Sequence, residues 1–312
     1  MRVYVFGLGH IGLATATWIA MHDYQVMGID INPNVITAIL DGTVTIEEYY
    51  QGEHIAHLAQ SQIRQKKLSV TAEFIRVDRV PSIFMVAVGI ADKEDGGQDL
   101  SPLISVLETI APYLVSGDLL VLRTTLIPGT IDQFIIPWLR TLKVTMRLAY
   151  CPETIMETRA FEELENNPLI LAGIDAESVS AAEAFLRSLS QAPVYRASNM
   201  RTAETVKVIQ NIQRDVNIAL INEIGEAALQ LDVDIYELIA LANTHPRVTL
   251  LKPGPGVGGY CLPNAYGYLR QGIDAGKCPL PLMSLARKQN AARPRKAFPL
   301  CKKEPGDYHH AD

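Results

Sequence analysis

A thiol that closes a run of glycines sits where a ligand and a nucleophile can meet, and this chain has one in Lys252-Pro253-Gly254-Pro255-Gly256-Val257-Gly258-Gly259-Tyr260-Cys261. Glycines without side chains let backbone approach a bound molecule closely, and a cysteine at the end of such a loop can attack a carbonyl carbon. A lone cysteine is also a common small hydrophobe, so the assignment turns on partners. Lys207 and Asn211 are candidates. Four apart, they share one face of a helix, with Glu204 a turn earlier, and an ammonium and an amide aimed at one point stabilise an oxyanion and favour a thiolate. The same spacing describes a solvated helix stripe.

Phosphate chemistry is written at the other end of the chain, in Gly7-Leu8-Gly9-His10-Ile11-Gly12. Gly7 permits a tight turn, Gly9 lets N–H groups approach a pyrophosphate, and Gly12 allows a helix to lie close on its strand. Asp30 ends the next apolar run. A carboxylate there accepts hydrogen bonds from adenosine ribose hydroxyls and repels a 2′-phosphate, which selects NAD over NADP in the absence of a following arginine. Flavin and nucleotide-sugar sites use similar turns. Two further segments, Thr124-Thr125-Leu126-Ile127-Pro128-Gly129-Thr130 and Cys151-Pro152-Glu153 with Glu157 beyond, follow apolar runs. In open α/β sheets ligands sit at that edge, although Thr125, Thr130, Glu153 and Glu157 are equally the residues that begin helices.

The elements that must position these residues follow from apolar periodicity. Val3 to Phe6, Tyr24 to Asp30, Ser82 to Gly89, Asp118 to Thr124, Met146 to Tyr150, Leu169 to Gly173 and Val194 to Ala197 read as buried strands, with helical stretches between most of them. Strand, glycine turn, helix, strand is the context in which the first loop reads as a Rossmann unit, and the alternation implies a doubly wound α/β fold with a parallel sheet. From Met200 to Leu231 a single helical pattern runs for roughly 45 Å, long enough to link lobes or pair subunits. A shorter helix spans about Ile235 to Ala242, and after the glycine-rich segment a helical start near Ala286 gives way to a polar tail. The predicted division is residues 1–198 for NAD binding, 199–293 for a small helical dimerisation domain carrying the cysteine loop, and 294–312 for an unstructured tail.

Composition narrows the class. The 312 residues are 48% hydrophobic and 20% charged, as in a folded globular protein of two domains. A net charge of -6 with scattered Lys and Arg argues against nucleic acid. No stretch reaches a membrane span, the glycines interrupt any leader-like N-terminus, and four cysteines without CxxC spacing suit free thiols in the cytoplasm, with no metal site.

Together, GLGHIGLATA, RTTLIPGT, CPETIMET, AETVKVIQN, VNIALINEIGEAALQLDVD and above all HPRVTLLKPGPGVGGYCLP resemble the UDP-glucose/GDP-mannose dehydrogenase family, most closely its branch acting on UDP-N-acetylmannosamine. The resemblance runs from Met1 to about Asn290. It implies oxidation of the C6 alcohol of a nucleotide sugar to a carboxylate with two NAD per turnover. Cys261 would trap the aldehyde as a thiohemiacetal, a second oxidation would give a thioester, and water would release the acid. Lys207 and Asn211 would stabilise oxyanions, and Glu153, with Thr125 holding a water, would assist hydrolysis. Cofactor contacts would come from Gly7, Gly9, His10, Ile11, Gly12, Asp30 and Thr125, and substrate contacts from Glu153, Glu157, Lys207, Gly258 and Arg247, the last reaching a neighbouring subunit's substrate. The long helix implies a homodimer.

The chain also departs from that family. Ala265, after Asn264, replaces an aspartate four residues beyond the nucleophile; Ile90-Ala91 replaces a Thr-Pro beside the cofactor; Tyr260 replaces a histidine and Thr158 a glycine. Members carry a third, Rossmann-like domain that grips the nucleotide, expected to begin where this chain stops. Three readings follow: a four-electron nucleotide-sugar dehydrogenase, a weakened relative that keeps NAD binding and dimerisation, and a two-electron β-hydroxyacid dehydrogenase, against which Cys261 argues.

Overall fold

Short apolar runs alternating with helices build a sheet buried on both faces. In the computed structural model, which describes residues 1–93, 97–274 and 276–301, the chain forms two units, Met1–Lys207 and Val208–Asp312. The first contains strands β1 (Arg2–Phe6), β2 (Gln25–Ile29), β3 (Tyr49–Tyr50), β4 (Glu53–His54), β5 (Leu68–Thr71), β6 (Ile83–Val86), β7 (Leu119–Leu122), β8 (Arg147–Tyr150), β9 (Leu169–Gly173) and β10 (Val194–Arg196). Its helices are α1 (His10–Met21), α2 (Pro33–Asp41), α3 (Ile55–Arg64), α4 (Ser101–Ile110), α5 (Ile136–Thr141, entered through a π-turn at Ile131–Ile135), α6 (Ala160–Asn166) and α7 (Ala176–Leu189).

The eight-stranded sheet has the order β10-β9-β8-β7-β6-β1-β2-β5, and β3 and β4 form a separate hairpin. Chain order reverses on either side of β1, so ligand-facing loops gather at the carboxyl edge there. Alternate side chains of β1 feed different cores, Val3 and Val5 on one face and Tyr4 and Phe6 on the other, which is why these strands read as continuous apolar runs. One expectation is corrected. The sheet is parallel from β5 to β8, but β8 and β9 pair antiparallel, Ala149 opposite Gly173. Between them α6 has only seven residues, about 10 Å of helix, too short to carry a crossover back along the sheet.

The second unit is helical: most of α8 (Met200–Gln230), then α9 (Ile235–Ala242), α10 (Cys261–Gln271) and α11 (Pro281–Cys301). The division falls within α8 rather than before it, because Met200 and Ala203 in its first turns belong to the core of the first unit. Asp215 of α8 fastens α11, accepting from Arg287 Nη1 at 2.7 Å and from Asn290 Nδ2 at 2.9 Å. Residues 294–301, expected in the tail, continue α11; 302–312 lie outside the described residues. No helix among the described residues is long and apolar enough to cross a membrane.

Candidate active site

The first loop is shaped by contact. Gly7 has φ +88°, and a Cβ there would lie 3.0 Å from Ala87 O and Val88 Cα; a Cβ on Gly12 would lie 1.8 Å from Gly7 O. Gly9, at the N-cap of α1, has nothing within 4 Å of where its Cβ would be. The N-terminus of α1 has no side-chain cap and no acidic residue in its first turn, so its N–H groups are left for an anion. His10 is exposed and Ile11 half-buried at this helix start. Asp30 leaves β2 and accepts from Leu8 N at 2.8 Å through Oδ2 and from Asn32 N at 2.9 Å through Oδ1. One carboxylate therefore ties the glycine loop to the end of β2 and keeps lone pairs for hydroxyl groups. These residues fit a dinucleotide: a bare helix start suits a pyrophosphate, and a carboxylate with free lone pairs at the end of β2 suits ribose hydroxyls.

The segment after β7 is tied down at four points. Thr124 Oγ1 donates to Val88 O at 2.8 Å, joining it to the segment that packs on Gly7. Buried Gln98 donates from Nε2 to Thr125 O at 3.0 Å and accepts from Ile127 N at 2.8 Å, as a paired strand would. Thr130 Oγ1 donates to Ile127 O at 2.7 Å. Glu204, fully buried, accepts from Gly129 N at 2.6 Å and Ile131 N at 2.9 Å. Burial pushes this carboxyl up to about 7, against the pull of its two N–H donors; Asp132 raises it further and Arg201 lowers it.

Glu153, after β8, is fully engaged. Oε2 accepts from Arg123 Nε at 2.9 Å and also from Arg123 Nη2, while Oε1 accepts from Thr154 N at 2.9 Å and Ile155 N at 3.0 Å. Arg123 is buried, and its Nη1 lies 3.7 Å from Cys151 Sγ, a thiol whose pKa burial raises. Glu157 is exposed. Thus Gly7 to Gly12, Asp30, Thr125 and Glu153 follow β1, β2, β7 and β8 at one sheet edge, and Lys207 is buried on α8. Sequence reasoning missed the holding roles of Gln98 and Arg123, and placed Glu204 only as a neighbour of Lys207.

In the second unit Asn211 is buried and Arg247 is exposed beside His245, with Nη2 3.4 Å from its Nε2. The glycine-rich segment is anchored where Gly254 N donates to Asn222 Oδ1 at 2.8 Å. Gly254, Gly258 and Gly259 have nothing within 4 Å of a would-be Cβ. Cys261 is exposed and is the first residue of α10, so helix follows the segment immediately. Ala265, one turn on, is buried. Tyr260 Oη and Tyr268 Oη are 2.9 Å apart.

A doubly wound sheet, a bare glycine-capped helix start and an aspartate at the end of β2 define a Rossmann-type, NAD-binding dehydrogenase fold. The chain belongs to the UDP-glucose/GDP-mannose dehydrogenase family: residues 1–190 match its NAD binding domain and residues 201–292 its central domain. That membership sets aside the β-hydroxyacid dehydrogenase reading. The chain is 35% identical to a UDP-N-acetyl-D-mannosamine dehydrogenase of Pyrococcus horikoshii over 305 residues, 94% of this chain and 69% of that one. The solved structure of the Pyrococcus horikoshii UDP-D-ManNAc dehydrogenase superposes with a TM-score of 0.84 at 36% identity, over 96% of this chain and 71% of that one. A Staphylococcus aureus UDP-N-acetyl-mannosamine dehydrogenase gives 0.80 at 30% identity, over 97% and 70%. A Methanococcus maripaludis UDP-N-acetyl-D-mannosamine dehydrogenase is 35% identical over 84% of this chain, which spans 59% of that relative's length.

Proposed function

We propose that this chain supplies the NAD-binding and thiol-bearing parts of a four-electron nucleotide-sugar dehydrogenase that oxidises the C6 alcohol of a UDP-N-acetylmannosamine-type sugar to the acid. The observation that carries the reading is Cys261: exposed, first in α10, and preceded by glycines with open space around them. A structural cysteine would be buried, as Cys151 is. Bound NAD supplies the hydride acceptor. The chain's own residues do the rest. Cys261 Sγ adds to the C6 aldehyde and holds it through the second oxidation as a thioester, which water cleaves. Lys207 and Asn211 balance the charge on the C6 oxygen at each tetrahedral stage.

Thr125 orients the hydrolytic water, and Glu153 assists the hydrolysis. Both oxygens of Glu153 are engaged by N–H donors of Arg123, Thr154 and Ile155, which hold the carboxyl group in one orientation. Gly258 and Glu157 border the sugar. Exposed Leu220, Leu229 and Leu231 on and just after α8, with Tyr236 and Leu241 on α9, support a homodimer that would carry Arg247 to the partner's substrate. Free Cys151, Cys261 and Cys278 suit the reducing cytoplasm.

The test offers purified protein NAD with UDP-N-acetylmannosamine, UDP-N-acetylglucosamine and UDP-glucose in turn. Two NADH per sugar consumed is expected, with Cys261→Ser unable to complete the second oxidation. No reduction with any sugar, or full turnover by the serine variant, would sink the reading.

A further inference from the structure

We infer that Glu204 is a positioning residue for the cofactor: from α8 it holds the 124–131 loop, and through it Thr125, in the shape that receives NAD. The inference rests on the proposed reading of Thr125 as a cofactor contact. Its geometric basis is the match between two acceptors and two donors. Oε2 takes Gly129 N and Oε1 takes Ile131 N, so a carboxylate satisfies both N–H groups at the point where the loop turns into the π-turn. These bonds cross 75 and 73 residues of chain, and so act as a tether between helix and loop rather than as local turn chemistry.

At its other end the loop is fixed by Thr124 to Val88 O, and Val88 borders Gly7. Gln98 holds the middle. With these three supports in place, Thr125 has little freedom, and only the Glu204 support carries an ionisable group. Among the described residues, charged groups reach it from the π-turn and from α8, where Lys207 also lies one turn on. Asp132 and Arg201, themselves paired at 3.1 Å, act from the π-turn and from α8, and Tyr150 of β8 lies buried within its field. The Tyr150 phenol is pushed well above its ordinary value and stays neutral.

Because burial lifts the Glu204 carboxyl to about 7, protonation occurs near neutrality. A protonated carboxyl carries a hydrogen on one oxygen and no longer offers two free acceptors, so the tether to Gly129 or Ile131 weakens as the pH falls. NAD, which selects the held loop, is therefore expected to bind more tightly above pH 7 than below it.

The experiment measures the NAD dissociation constant by calorimetry between pH 5.5 and 8.5 for the wild type and for Glu204→Gln. Wild-type affinity is expected to rise roughly fivefold across that range, the worth of one buried hydrogen bond. The glutamine variant, with one acceptor oxygen at every pH, is expected to bind at the weaker limit throughout and to lose the part of the profile due to this group. All other titrating groups are common to both proteins, so their difference isolates Glu204. If Glu204→Gln does not fold, Glu204→Asp makes the comparison, its charge kept but withdrawn by one methylene; weaker NAD binding is then expected. Equal affinity of variant and wild type at every pH overturns the positioning role alone. A wild type that fails to bind NAD at any pH overturns this inference together with the cofactor reading beneath it.

Discussion

The chain has two glycine-rich loops that use the same residue for different reasons. In Gly7 to Gly12, two glycines are demanded by neighbours: a methyl on Gly12 would fall inside the Gly7 carbonyl, and one on Gly7 would press on Ala87 and Val88. In Gly254 to Gly259 the demand is uneven. Gly256 has φ +134° and would place a Cβ 2.9 Å from Pro294 Cδ, whereas Gly254 and Gly258 have open space and no left-handed backbone to explain them. The fold therefore closes on Gly7 and Gly12 in the first loop and on Gly256 in the second, whereas Gly9, Gly254 and Gly258 stand in open space. Packing accounts for the crowded glycines of both loops and does not account for the open ones, which a ligand that needs close backbone would explain.

The sharpest way to break that contrast is Gly12→Ala. With no room to move either strand β1 or helix α1, the variant is expected to lose at least about 3 kcal/mol of stability and its NAD binding with it. A thermal melt with and without NAD reads both. A variant that melts like the wild type and still gains stability from NAD would show that the first loop is looser than its geometry states.

How much of this was legible in the sequence depends on the range of the interaction. The strands of the sheet centre, with fully buried runs such as Ile83–Val86 and Leu119–Leu122, declared themselves, as did the glycine loop and Asp30, because their signals lie within one βαβ unit. Edge strand β5, with polar Ser69 and Thr71, did not, nor did the two-residue hairpin. The holding side chains were hidden for another reason. Gln98 acts 27 residues away, Glu204 75 and Glu48 112, and no local pattern encodes a carboxylate that caps a distant backbone. The antiparallel turn of the sheet at β9 also escaped, since alternation of elements reports crossovers but not their length.

Glu48 bears on a smaller effect. It is buried and accepts from Thr158 N and Ala160 N, and so caps α6. Thr158 adopts φ +73° to present its N–H, a left-handed conformation that disfavours a β-branched residue. The position is thus a turn glycine in geometry but not in sequence, unlike the first loop, where residue and conformation agree. Thr158→Gly is expected to stabilise the protein by about 0.5 to 1 kcal/mol, the relief of strain exceeding the added freedom of the unfolded chain. A melting temperature raised by roughly 2 °C would record it. An unchanged or lowered value would mean that the threonine side chain repays its strain with contacts of its own.

Gly258→Ala gives the smallest expected change in stability and the most direct reading of the second loop. Nothing lies within 4 Å of the added methyl, and the backbone there is open to any residue, so stability should move by less than about 0.5 kcal/mol. If Gly258 is glycine to admit the sugar, NADH formation should nevertheless fall by roughly tenfold or more, because a displacement of the substrate by one methyl radius spoils its alignment with Cys261. NAD affinity, which belongs to the other loop, should not change. A loss of turnover with both stability and NAD binding intact would assign the open glycines to substrate approach. Unchanged turnover would leave them as turn residues, and would return the explanation of the second loop to the fold.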